Sequence, residues 1–100
     1  MSYTGAAMRI TRLFWDDNNV EHLWAAHRVT PDEVEEIIFG ADGEPASYRV
    51  IRDGGNYTIF GETGGGRLLI MVGEFLRDGR FRAFAAREMN QSEKRAYRAR

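Results

Sequence analysis

Residues 47–86 read SYRVIRDGGNYTIFGETGGGRLLIMVGEFLRDGRFRAFAA, and the turns inside that stretch decide the fold. Asp53-Gly54-Gly55-Asn56, Gly64-Gly65-Gly66 and Arg77-Asp78-Gly79 separate four runs rich in β-branched and aromatic residues. Those runs predict strands over Ser47–Arg52, Tyr57–Thr63, Arg67–Leu76 and Arg80–Ala86. A parallel return needs a crossover of about a dozen residues or more, so turns this short make neighbouring strands antiparallel. The expectation is a four-stranded meander.

The flanks supply helices. Ile10–Trp15 has the composition of a further short strand, able to join the meander. Asp16 or Asp17 then opens a helix over residues 17–27, with Val20, Leu23, Trp24 and Ala26/His27 as its apolar stripe. Thr30-Pro31-Asp32-Glu33 is a second start: Thr30 caps, Pro31 suits the first helical position, and Glu33 completes a capping box. Val34, Ile37 and Ile38 are its buried face, and Gly40 with Asp42-Gly43-Glu44-Pro45 ends it. A last helix starts near Asn90, capped by Asn90 or Ser92, and runs through Tyr97. The predicted class is α+β: two N-terminal helices and a C-terminal helix packed on an antiparallel sheet of four to five strands.

One hundred residues suit one domain, read as residues 10–100 behind a flexible arm at 1–9, with Met8 as an alternative start. No cysteine is present, which excludes disulfides and thiolate chemistry. No apolar run has the length to span a bilayer and no signal peptide is read, so the expected location is the cytoplasm. Charge is unevenly spread. Residues 67–100 carry a formal +5 and residues 15–44 a formal −8, within a chain of net −1. That polarity suggests a polyanionic ligand or an acidic partner for the basic end.

Few side chains have a chemical signature. Gly61-Glu-Thr-Gly-Gly-Gly66 lacks the Gly-Lys-Ser/Thr ending of a phosphate-binding loop and reads as a turn. Regular alternation sends Arg80, Arg82, Phe84 and Ala86 to the open face of the sheet, and Phe81, Ala83, Ala85 and Arg87 toward the helices. Arg67 and Arg82, if near each other across the hairpin, would form a guanidinium fork for one phosphate. The alternative is that these arginines keep the sheet soluble. His22 and His27 lie five residues apart, about 140° around a helix, so no helix-borne histidine metal pair is expected. His22 reads as a solvated helix residue and His27 as the residue closing its helix. Tyr57 and Tyr97 suit packing or phosphate contacts.

Taken together, Phe14-Trp15-Asp16, an asparagine at Asn18 or Asn19, His27-Arg28-Val29-Thr30 with Glu33-Val34-Glu35-Glu36, Gly61-Glu-Thr-Gly before Gly66-Arg67-Leu68-Leu69, and Phe84-Ala85-Ala86-Arg87-Glu88-Met89 ahead of Glu93 and Tyr97 resemble BrnT-type toxins of type II toxin–antitoxin pairs. The likeness covers about residues 10–98. It implies a RelE-like fold, with helices on one side of an antiparallel sheet, and a metal-independent ribonuclease without a cofactor. It also implies a cognate DNA-binding antitoxin as partner, an RNA substrate, and homo-oligomerisation through the toxin–antitoxin complex. By the same resemblance Arg67, Arg82 and Arg87 are the family's basic residues and His27 its histidine. Ala26-His27-Arg28-Val29 departs from the family's Lys-His-Gly-Val, and Ala85 stands where Ser or Thr is usual.

The implied chemistry gives Arg67 and Arg82 the phosphate, His27 the acid or base role with Tyr57 as stand-in, and Arg87 a phosphate or bracing role. A competing expectation is a non-catalytic module that docks an acidic protein segment on the same basic surface.

Overall fold

The structure, a computed structural model, describes residues 10–41, 43, 46, 48–76 and 79–99. The expected arm at 1–9, the start of a strand at Ser47, Asp42, Glu44 and Pro45 of the helix-ending cluster, Arg77 and Asp78 of the last turn, and Arg100 lie outside these residues. The described chain runs β1 (Arg12–Leu13), α1 (Asp17–His27), α2 (Pro31–Phe39), β2 (Tyr48–Asp53), β3 (Asn56–Glu62), β4 (Leu68–Phe75), β5 (Arg80–Glu88) and α3 (Gln91–Arg98). It is an α+β fold: three helices and a five-stranded sheet in the order β1-β5-β4-β3-β2.

The helices start where local hydrogen bonding dictates. Asp16, Thr30 and Asn90 each accept from the backbone N–H three residues on, and Asn19, Glu33 and Glu93 each accept from the cap's own N–H. Each start thus satisfies two amide donors that the helix itself leaves unpaired. Asn19 does more. Buried in the α1–β5 seam, its Nδ2 donates to Phe14 O at 3.0 Å and to Ala83 O at 3.1 Å, tying α1 to the outer edge of β5.

The sheet is mixed, not antiparallel throughout. β2–β3–β4–β5 form the expected antiparallel meander, but β1 pairs parallel to β5 through Arg12↔Arg80 and Leu13↔Phe81. The first strand is also shorter than its composition suggests. The Asp16 capping box begins α1 three residues after Leu13 and turns the chain away from the ladder. α1 then runs beside β5 and covers the edge that β1 leaves open.

Register assigns the two faces. On the first, Val50, Ile59, Met71 and Ala86 stand in one row, with Leu69, Phe81 and Ala83 nearby, and α1 and α2 bury Leu23, Val34, Ile37 and Ile38 against them. Gly61 lies in that row's neighbour because a Cβ there would collide with Ile37 Cγ2 of α2. On the second face, Leu68 and Ile70 pack with Met89, Phe60 and Tyr97, so α3 sits opposite α1 and α2. The resemblance implied helices on one side; they flank the sheet on both. Continuous burial of Leu68, Leu69, Ile70 and Met71 is the mark of a strand covered on both faces.

A bulge corrects the alternation expected for β5. Val72 pairs with Ala85 but Gly73 with Ala83, leaving Phe84 as an extra residue. Beyond it the faces exchange: Ala86 joins the first-face core, while Ala85 and Arg87 turn to the second face. Trp24 also departs from its expected place in the α1 stripe. It is 47% exposed, with the Arg28 guanidinium 5.1 Å above its ring.

Candidate functional site

The second face holds an open cleft of about 440 Å³ between α1 and α3. Two cross-strand rows make its floor: Thr58, Val72 and Ala85, and beside them Phe60, Ile70 and Arg87. His22, Ala26 and His27 of α1 form one wall and Glu93 of α3 closes the other side. Both histidines of the chain therefore border one concavity, although they stand about 140° apart on the helix. Ala26, one turn after His22, lies between them. His27 is the last helical residue, where the chain bends away through Arg28 in the left-handed conformation (φ 57°).

Arg87 reaches the cleft held by Glu93, Nη1 to Oε1 and Nη2 to Oε2 both at 2.9 Å, and it also donates to Glu88 O. This two-point pair, with the Asn90 backbone N–H, depresses the Glu93 carboxyl from the ordinary 4.5 to about 2. A carboxyl so lowered stabilises the folded chain fully above its ordinary pKa and ceases to do so as the pH falls through the folded value. Acid titration from pH 5 to pH 2 is expected to loosen α3 in the wild type. In Glu93→Gln that stretch of the unfolding profile should be shallower, the remaining slope coming from Asp16 and Glu88, which far-UV circular dichroism measures.

The other expected site residues lie elsewhere. Arg67 and Arg82 form no fork, because successive antiparallel strands start at opposite ends of their hairpin. Arg67 neighbours Glu88, whereas Arg82 pairs with Glu74, roughly 20 Å away along β5 at about 3.3 Å per residue. Arg67 is instead a joint between elements. Its Nε donates to Glu88 at 2.8 Å, Nη1 to Glu33 and Arg28 O, and Nη2 to His27 O at 2.8 Å. Partial burial works against its charge, yet the Glu88 and Glu33 carboxylates outweigh that and raise its pKa. The Arg67 hydrogen bond lowers Glu88 in turn. Arg82 sits 3.5 Å from Asp16, whose carboxyl is lowered first by the Asn19 backbone N–H and further by Arg82. Tyr57 is on the first face, edge-on to Phe75 with centroids 4.9 Å apart. The Gly64 turn is tied to α2, its amide donating to the Glu36 carboxylate at 2.9 Å.

No protein-family model and no curated protein matches the chain.

Of the five residues singled out in the sequence, His27 and Arg87 line the cleft together, while Arg67, Arg82 and Tyr57 do not line it. His22, Thr58, Phe60 and Glu93 complete it. Thr58, Phe60 and Arg87 could be grouped only through strand register, and β5 register depends on the bulge. Among the described residues no helix is long and apolar enough to cross a membrane.

Proposed function

We propose that the chain is a small endoribonuclease that cleaves RNA in the cleft on the second sheet face. On this reading it is the cytoplasmic toxin of a toxin–antitoxin pair, silenced by a cognate DNA-binding antitoxin. The observation that carries the proposal is that His22, His27 and Arg87 line one open cleft. The resemblance to BrnT-type toxins supports the same reading.

RNA brings its own nucleophile. One imidazole takes the proton of the ribose 2′-OH as that oxygen attacks phosphorus, and the other, protonated, delivers a proton to the departing 5′-oxygen. The products are a 2′,3′-cyclic phosphate and a free 5′-OH. Arg87 offers charged donors to the phosphoryl oxygens as negative charge accumulates on them. Glu93 holds that guanidinium in the unbound chain, so a phosphate entering the site replaces one anion by another.

Purified protein incubated with single-stranded RNA and a chelator is expected to yield fragments bearing 2′,3′-cyclic phosphate ends, and expression alone should arrest growth. Intact RNA with normal growth would remove the nuclease reading. One observation favours a second reading, a non-catalytic docking module. Arg67, Arg82 and Arg87 each face a carboxylate, and the cleft floor is largely apolar. That module would bind an acidic partner and leave RNA intact.

A further inference from the structure

We infer that the cleft floor is a seat for one unstacked nucleobase, whose edge the Thr58 hydroxyl reads. The inference rests on the nuclease reading and deepens it to a substrate class: single-stranded RNA, recognised one base at a time.

Three observations converge. First, Val72 and Ala85 are direct cross-strand partners on the floor, and Phe60 lies in the adjacent row over the buried Ile70, so an aromatic ring borders a small apolar surface. A flat apolar patch with an aromatic member suits the face of a base. Second, Thr58 supplies a hydroxyl on that floor, and among the described residues no protein group hydrogen-bonds to that hydroxyl. A hydroxyl can both donate and accept, and its fixed position beside Val72 makes it a reader of whichever base edge reaches it. Third, the volume of about 440 Å³ lies toward the small end of the range for small-ligand sites, about 300–1,000 Å³, so the cleft suits one nucleotide and not a stacked series.

Polarity orders the parts. The base lies over Val72 and Ala85, and its phosphate points to the side where Arg87, His22 and His27 stand. A base within a duplex presents no free face to such a floor, so double-stranded RNA is excluded by shape.

The test is a titration of the full chain, followed by the NMR resonances of Thr58, Val72 and Ala85, with each of the four nucleoside 3′-monophosphates and with inorganic phosphate. Nucleotides are expected to shift these floor resonances saturably, whereas phosphate alone should move only His22, His27 and Arg87. In Thr58→Val, a near-isosteric change, the affinity difference between the best and worst nucleotide should narrow roughly twofold to tenfold, the worth of one neutral hydrogen bond. If nucleotides perturb only the residues that phosphate perturbs, the base seat is wrong while RNA cleavage can still stand. If Thr58→Val ranks the nucleotides as the wild type does, the reading role of Thr58 is wrong. Floor shifts in a chain that leaves RNA intact would uphold the seat and overturn the nuclease reading alone.

Discussion

Arg67→Ala is expected to lower the thermal midpoint by roughly 10 °C, the largest stability loss from any single surface cation among the described residues. The reason is the company the guanidinium keeps. It joins Glu33 of α2 and Glu88 of β5, and it caps the carbonyls of His27 and Arg28 at the end of α1. Those carbonyls belong to a terminus that has no further intrahelical donors to offer them. Arg28, moreover, is the one non-glycine residue at positive φ among those described, a conformation that costs about 1–2 kcal/mol. Hydrogen bonds to charged groups contribute about 1.5–3 kcal/mol each when well shielded. The Arg67 side chain is 26% exposed and Glu88 is more open, so solvent screening brings the net loss down to about 2 kcal/mol. For a domain this size each kcal/mol moves the midpoint by about 4–8 °C. Arg67→Lys should recover only part of the loss, because one ammonium cannot serve acceptors spread across a planar fork. Thermal melts of the three proteins decide it. A midpoint change under 2 °C in Arg67→Ala would mean that water satisfies these groups as well as Arg67 does.

The same residue shows which features the sequence could reveal. All three helix starts were legible because caps are local: Thr30 with Glu33 reads as a capping box, while Asp16 or Asp17 and Asn90 or Ser92 were alternatives, and the structure uses Asp16 with Asn19 and Asn90 with Glu93. The meander was legible because its turns are local too. Partners far apart in the chain were not. Nothing near Arg67 announces that Glu33 and Glu88 will meet it, and two arginines opening successive strands look closer in sequence than their opposite ends allow. The parallel pairing of Arg12 and Leu13 with β5 is likewise a contact across almost seventy residues. The extra residue at Phe84 has no sequence signal in Ala83-Phe84-Ala85-Ala86, where small residues fit either face. One signal was present: five consecutive apolar residues, Leu68–Val72, in a strand otherwise expected to alternate. That run calls for cover on both faces, and Tyr97 of α3 packs on Leu68 and Ile70 opposite α1 and α2.

If the cleft cleaves RNA as proposed, replacing either imidazole should reduce that cleavage by about 10²–10⁴-fold, the usual contribution of one positioned acid or base. Both histidines are exposed and make no hydrogen bond through their rings with another described residue, so His22→Ala and His27→Ala should leave the thermal midpoint almost unchanged. That separation of activity from stability makes the pair more decisive than Arg67, whose loss alters both. Wild-type cleavage should follow a bell-shaped pH profile, because one imidazole must be neutral while the other is protonated. Each single variant should retain only one limb of the bell, and which limb survives assigns base and acid. The double variant should be scarcely slower than either single one, since two groups acting in one proton-transfer step fail together. Equal cleavage by His22→Ala and wild type would leave His27 to act alone with Arg87, and the two-histidine mechanism would fall. Equal cleavage by both single variants would move the chemistry out of this cleft altogether, leaving the apolar floor to a protein partner.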